Sequence, residues 1–268
     1  MFVAKDRHLA FCHKQFTIKG CFHMGTLLIF NSILIAAIVG GLWVVRKYVK
    51  GERAQNILLI TAAAVTIIFH YSSFIFKLIS GSGAIEYLTQ NPNLLLPIYP
   101  CNVVMWSALI FALLKNKRSR LGIILGDYIF WFGIISTLVG MFANVDFINN
   151  PTLANYENIK SIGAHATLLF NVILIPMFGY VKTDVKRNMR SILISIVAMA
   201  LIGGYCNLLL SAIGSRELAY STNSMFLIHS PFDGVKFLIY PVIVLVAIPI
   251  YLGVFCICDA CVHKNKEK

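Results

Sequence analysis

The sequence predicts an all-α protein, a polytopic membrane bundle of about seven transmembrane helices, on three observations. Of the 268 residues, 58% are hydrophobic and only 13% are charged, whereas soluble domains carry about 25% charged residues. Seven apolar stretches approach the roughly 20 residues that a helix needs to cross a bilayer of ~30 Å. The basic residues concentrate in alternate connectors between these stretches, which is the distribution that the positive-inside rule describes.

The seven predicted spans follow one another with short connectors. They cover residues 24–45, 57–79, 93–114, 121–143, 162–181, 191–214 and 237–258. Because no connector is long enough for a soluble domain, the sequence predicts one transmembrane domain over residues 24–258. A polar, basic segment over residues 1–23 precedes this domain and is expected to lie along the membrane interface. A basic tail over residues 259–268 follows it.

Basic residues mark one face of the predicted bundle. They lie in the first, third and fifth connectors and in the tail: Arg46, Lys47, Lys50, Arg53, Lys115, Lys117, Arg118, Arg120, Lys182, Lys186, Arg187, Arg190, Lys264, Lys266 and Lys268. Cytoplasmic loops carry an excess of lysine and arginine, so we expect a cytoplasmic C-terminus. Seven spans then place the N-terminus outside, although the basic residues of segment 1–23 run against this pattern. The expected location is the cell membrane, as a multi-pass protein.

The basic residues that give the formal net charge of +12 lie mostly in connectors and end segments, where we expect them to face the membrane surfaces. No connector interleaves aromatic and basic residues as a nucleic-acid surface does, so we expect membrane lipids, and no nucleic acid, as partners. The spans contain no cluster of His, Asp and Glu at metal-ligand spacing and no dinucleotide fingerprint. We therefore predict neither a metal nor a cofactor.

The third span contains an unusual segment, LLLPIYPCNVVM at residues 94–105. Pro97 and Pro100 each remove a backbone donor and clash with the preceding turn, which predicts a kinked or opened helix. In a bilayer, freed backbone groups are tolerated only where protein or a water-filled cavity satisfies them. Cys101 and Asn102 come directly after this break, so we expect a cavity beside them.

Polar side chains fall at a shared depth on several spans. Cys101 is about eight residues into the third span, which corresponds to roughly 12 Å below the outer surface at the helical rise per residue. Other polar side chains in the outer half of the predicted bundle are His23, His70, Asn102, His165, Asn171 and Asn207. Intramembrane polar groups usually face the bundle interior, so the set predicts one outward-opening polar pocket. The alternative is that each residue only joins neighbouring helices.

A cysteine near a histidine is the minimal pair for acyl transfer, since the imidazole takes the thiol proton and the thiolate attacks a carbonyl. Cys101 is the candidate nucleophile. His165 and His70 are both candidates for the base, and His165 is predicted to lie nearer the lipid head groups. The side chains of Asn102, Asn171 and Asn207 are candidates to donate hydrogen bonds to an oxyanion or to orient the histidine.

These residues predict a lipid acyltransferase or hydrolase with a Cys nucleophile and a His base. The same pocket would also suit a small-solute transporter or a ligand-binding membrane protein without covalent chemistry, in which the proline break forms a hinge. A structural partner, in which the polar residues only hold helices together, is the third alternative.

Three short motifs carry a resemblance to a known family. They are LPIYPCNVVMW around Cys101, FTIKGCFHMGTLL with His23 just before the first span, and GAHATLLFNVILI, which begins near His165. Each resembles the corresponding segment of the YwaF-type integral membrane proteins, which are related to transmembrane protein 164. The resemblance covers most of the chain.

The resemblance implies a compact bundle of six to seven helices. The animal member of the group is described as a cysteine-dependent acyltransferase that places polyunsaturated acyl chains on ether phospholipids. By position, the resemblance implies that Cys101 is the nucleophile and that His165 is its partner. The identity of the acyl substrate is not carried over to this chain.

Overall fold

The structure, a computed structural model, describes residues 18–142, 152, 154–181 and 185–228. The side chains of residues 18–24, 185–187 and 189 lie outside this description. The seventh predicted span at 237–258, the tail at 259–268 and most of the N-terminal segment at 1–23 also lie outside the described residues.

The described part of the chain is helical, with no strand. In chain order its α-helices are α1 Ile18–Tyr48, α2 Glu52–Ser80, α3 Ala84–Gln90, α4 Pro100–Leu113, α5 Arg120–Phe142, α6 Tyr156–Met177, α7 Val185–Ile213 and α8 Arg216–Thr222. Two short 3₁₀ turns, Pro92–Leu94 and Ser224–Phe226, lie before α4 and after α8. The prediction of an all-α protein is confirmed.

Five of these helices are long and apolar enough to cross a membrane. They are Gly25–Tyr48, Glu52–Ser80, Arg120–Phe142, Tyr156–Met177 and Arg190–Ile213, which correspond to the first, second, fourth, fifth and sixth predicted spans. Large apolar side chains point away from the protein along them; Leu201 and Leu208 of α7, for example, are 69% and 73% exposed. Such continuous apolar surfaces are typical of lipid contact. The chain is therefore an integral, multi-pass membrane protein.

The third predicted span is not one continuous helix. Residues 95–99 are not helical, and α4 begins only at Pro100 and has 14 residues. Pro is favoured at the first helical position because its missing N–H needs no partner there. The predicted depth of Cys101, roughly 12 Å, was counted along a continuous helix from residue 93. Because no such continuous helix is present, that count does not apply.

Donors from other elements reach carbonyls of the opened segment, residues 95–99, and of the 3₁₀ turn before it. The Tyr71 hydroxyl donates to Leu94 O at 2.7 Å, and the Met225 N–H donates to Ile98 O at 2.9 Å. His70 Nε2 lies 3.4 Å from Asn93 O. Surrounding protein thus satisfies part of the opened backbone, as expected for a broken helix in a membrane protein.

Helix α6 lies at the centre of the described bundle. It packs against both α2 and α5, and α4 packs between these two helices. The largest apolar cluster joins α4, α5 and α6 through fully buried side chains such as Phe111, Ile129 and Leu174. This packing holds the N-terminus of α4 against the interior of the bundle.

The other end of α4 is held by Lys117, which follows the helix. Its ammonium donates to Ala112 O and Leu114 O, each at 3.0 Å, and lies 5.8 Å from the centre of the Phe111 ring. Burial lowers the pKa of Lys117, and the Glu52 carboxylate opposes this shift. These bonds satisfy carbonyls that the helix end leaves without an intrahelical donor.

Close packing of α5 on α6 depends on Gly133, and this leads to a prediction about stability. A Cβ at Gly133 would stand 2.5 Å from Val172 Cγ2 and 3.2 Å from Val104 Cγ1, both on buried side chains. We expect Gly133→Ala to destabilise the protein by about 1–3 kcal/mol through overpacking. The apparent unfolding temperature in detergent measures this. Gly40→Ala is the control, because nothing lies within 4 Å of a Cβ there; equal unfolding temperatures for both variants would contradict the prediction.

Candidate functional site

A cavity of about 770 Å³ lies where α2, α4, α5 and α6 meet. Its volume is within the range of roughly 300–1,000 Å³ that small-molecule sites occupy. Four of the residues singled out from the sequence line it: His70, Cys101, Asn102 and His165. They come from three different helices, so the fold brings together side chains that are far apart in the sequence.

Cys101 is the second residue of α4. Tyr99 precedes the helix in an extended conformation, with φ −109° and ψ 154°, and its N–H donates to Asn102 Oδ1 at 3.1 Å. In a regular helix Tyr99 and Cys101 would point about 200° apart. Both nevertheless line the cavity, because Tyr99 is outside the helix and is not bound by helical phase.

The Asn102 side chain has one group that holds it in place and another that can donate a hydrogen bond into the cavity. Its Oδ1 accepts the Tyr99 N–H and so fixes the side chain at the start of α4. No described residue accepts a hydrogen bond from its Nδ2, and the side chain borders the cavity. Pro100 has no N–H, and the N–H groups of Asn102 and Val103 donate to Tyr99 O at 3.0 and 3.4 Å. The Cys101 N–H is therefore the first-turn donor that remains for the cavity, and the N-terminal end of a helix favours negative charge. The cavity therefore has donors beside the Cys101 thiol.

His165 is held in one orientation by its own helix. Its Nδ1 lies 2.8 Å from Ser161 O, and because a carbonyl can only accept, Nδ1 carries the proton in the neutral ring. Nε2 is then the basic nitrogen. The ring lies against Gly140 of α5, where a Cβ would overlap the imidazole atoms. Gly140 thus provides the space that the imidazole occupies.

His70 has a different environment. Its Nε2 is 3.4 Å from Asn93 O, a long contact for a hydrogen bond, and its ring meets the Tyr71 ring edge-on with 4.9 Å between centroids. The neighbouring Tyr71 hydroxyl bonds to Leu94 O. His70 and Tyr71 together hold the 3₁₀ turn that leads into the opened segment, and His70 also borders the cavity.

Two predicted pocket residues lie elsewhere, and a third is not described. Asn171 is only 1% exposed within the bundle, and neither of its amide atoms has a partner among the described residues. The Asn207 side chain accepts from Ser224 N at 2.9 Å and donates to Ser224 O at 3.3 Å, so it ties α7 to the last 3₁₀ turn. Neither residue lines this cavity. The side chain of His23 lies outside the described residues.

A charged part of the cavity lining was not predicted from the sequence. Tyr87 of α3 donates to the Glu157 carboxylate at 3.1 Å, and Lys160 binds both groups: its ammonium lies 2.5 Å from Glu157 Oε2 and 2.8 Å from the Tyr87 hydroxyl. All three residues border the cavity. We call them the charged triad.

A helix boundary explains this omission. The fifth span was predicted to begin at residue 162, whereas α6 begins at Tyr156. Glu157 and Lys160 are therefore within the helix, and His165 lies more than two turns inside it instead of at its mouth. Glu157 and Lys160 carry opposite charges three residues apart, a spacing that favours an ion pair within a helix. This pattern could have predicted that the helix begins before residue 162.

Comparison with known proteins supports the resemblance in part. No curated protein and no solved structure matches the chain. The YwaF-type affiliation expected from the motifs stays a prediction. The sequence model of the TMEM164 family, however, matches residues 20–259, a range that includes every residue of the cavity. The chain belongs to the TMEM164 family.

Proposed function

We propose that this protein is a lipid acyltransferase or lipid hydrolase in which Cys101 is the nucleophile and His165 is the base. The observation that carries the proposal is that both side chains line one cavity, at the N-terminus of α4 and on the facing helix α6. The cavity also contains a donor, Asn102 Nδ2, beside the thiol. Membrane lipids are the proposed substrates because the protein crosses the membrane.

The first half-reaction forms an acyl-enzyme. His165 Nε2 takes the thiol proton of Cys101, and the sulfur attacks the ester carbonyl of a lipid. Asn102 Nδ2 and the Cys101 N–H stabilise the tetrahedral oxyanion. The bond between the carbonyl carbon and the ester oxygen then breaks. The departing alcohol takes the proton from His165, and the acyl chain remains on Cys101 as a thioester.

The second half-reaction releases the acyl chain. The hydroxyl of an acceptor lipid, or water, gives its proton to His165 and attacks the thioester carbonyl. The carbon–sulfur bond breaks, and the Cys101 thiolate regains the proton from His165. A lipid acceptor makes the reaction a transfer, and water makes it a hydrolysis.

We further propose that the cavity opens toward the outer leaflet of the cell membrane. It lies where α2 ends and α6 begins, and residues of the second connector border it. The positive-inside distribution assigns the opposite ends of these helices, near Arg53 and Lys182, to the cytoplasm.

The direct test of the proposal is to trap the thioester. Full-length protein in liposomes is mixed with a phospholipid that carries a labelled acyl chain, quenched in acid and digested. We expect a hydroxylamine-sensitive label on the peptide that contains Cys101, identified by mass spectrometry. Label found only on other residues, or none over a range of acyl chains and head groups, would rule out a Cys101 thioester.

The charged triad favours a second candidate, binding or transport of a small polar solute. An ion pair inside a cavity provides partners for a charged solute without covalent chemistry. This function predicts that binding or flux survives Cys101→Ala and is lost when the triad is changed. Solute binding or flux that is unchanged in the triad variants would contradict it.

A further inference from the structure

The charged triad differs from a surface ion pair in its burial and its location. The Lys160 side chain is 13% exposed and that of Glu157 is 39% exposed. Both groups border the cavity that contains Cys101 and His165. Charges removed from water need partners, and here Tyr87 bonds to both of them. The triad therefore presents one positive and one negative group, already oriented, to the same space.

The hydrogen-bonding capacity of the triad is not exhausted. An ammonium has three donors, and Lys160 uses two of them on Glu157 and Tyr87. Its third N–H is available for an anionic oxygen. A carboxylate has about four lone-pair sites. The Glu157 carboxylate interacts with Tyr87, Lys160 and the Ser73 hydroxyl, and its side chain is still 39% exposed. Its remaining sites suit a cationic donor.

The position of the triad along α6 fits a glycerophospholipid in the cavity. Lys160 lies five residues before His165, which corresponds to about 7.5 Å along the helix axis. The phosphorus of a glycerophospholipid is separated from the nearer ester carbonyl carbon by five covalent bonds, roughly 6 Å when extended. The two residues are also about 140° apart around the helix, but both border the cavity, so a lipid whose ester carbonyl lies near His165 can reach Lys160 with its phosphate.

We propose that the charged triad is a head-group subsite for a zwitterion that contains a phosphate and an ammonium, an inference that rests on the proposed function of the same cavity. Lys160 binds the phosphate, Glu157 binds the ammonium, and Tyr87 holds the two side chains in place. The net charge of the Lys160 and Glu157 pair is zero and matches a zwitterion. An anionic head group would leave Glu157 facing negative charge, and an uncharged one would leave both groups without a ligand partner.

Binding measurements can test this without turnover. Full-length Cys101→Ala protein in detergent is titrated with three lipids that have the same single acyl chain: lysophosphatidylethanolamine, lysophosphatidylglycerol and monoacylglycerol. We expect the first to bind about tenfold more tightly than either of the others, since each charge-assisted hydrogen bond contributes about that factor. Adding glycerophosphoethanolamine, which has no acyl chain, distinguishes a soluble ligand from a lipid. If glycerophosphoethanolamine competes strongly with the lysolipid, the head group alone is the ligand. If it competes weakly, the ligand is the membrane lipid.

Substitutions in the charged triad test whether its residues cause the preference for the zwitterionic lipid. We expect Lys160→Gln to remove the tenfold preference and Lys160→Arg to retain most of it. Lys77→Gln is the matched control, because Lys77 lies 5.3 Å from the same Tyr87 ring but does not line the cavity. Equal binding of the three lipids by the parent protein would overturn the inference, as would an unchanged preference in the folded Lys160→Gln variant.

The outcome can be separated from that of the proposed function. A thioester on Cys101 together with no head-group preference would overturn the subsite and leave the enzyme proposal standing. A clear preference for the zwitterion with no thioester on Cys101 would overturn the enzyme proposal and support the head-group subsite as a binding site.

Discussion

Replacing Cys101 with alanine is expected to reduce lipid acyl transfer by at least about a thousandfold. The reason is that alanine cannot form the thioester, so the reaction loses its covalent intermediate and not only one stabilising contact. The side chain is half-buried and borders the cavity, so we expect the change to alter the unfolding temperature little. The measurement is the rate of acyl-chain exchange between defined lipids in liposomes, followed by mass spectrometry.

Cys206→Ala provides the matched control. Cys206 is the other free cysteine among the residues whose side chains the structure describes; it is 1% exposed on α7 and does not line the cavity. We expect this variant to retain activity within about twofold per folded molecule and to lose a little stability, as a small buried side chain is shortened. Acyl transfer by Cys101→Ala within tenfold of the unchanged protein would exclude a nucleophilic role for Cys101.

Hydropathy predicted the long helices because a membrane span needs a continuous apolar run. It placed helix ends less well, and α6 shows why. Hydropathy treats Glu157 and Lys160 as two separate charges, which would end a span. In the folded protein they neutralise each other and bond to Tyr87 of another helix, so the helix continues through them to Tyr156. A partner distant in the sequence leaves no mark in a hydropathy pattern.

The candidate site was predictable where the backbone itself was constrained. Pro97 and Pro100 predicted a broken helix with Cys101 and Asn102 beside it, and α4 begins at Pro100. Depth along a span was a weaker guide, because it does not give the direction in which a side chain points. Asn171 shares α6 with His165, but it is buried inside the bundle and does not line the cavity. Asn207 instead bonds to the backbone of Ser224.

The two cavity histidines differ in the bonds that they make, which allows a paired test of the general base. His165→Asn preserves a donor near the position of Nδ1, which bonds to Ser161 O, and removes the basic Nε2. His70→Gln preserves a donor near the position of Nε2, which faces Asn93 O. Each replacement therefore keeps the observed bond and deletes only the second nitrogen.

We expect His165→Asn to lower the rate of acyl transfer by about 10²- to 10⁴-fold, which is the usual contribution of a positioned general base. His70→Gln should cost less than about tenfold, because its main contact is to the turn before α4. Both rates are measured at saturating lipid, with thioester formation on Cys101 measured in parallel. Should His70→Gln show the larger loss while His165→Asn remains active, the base would be His70. Similar small losses in both variants would mean that neither imidazole is the essential base.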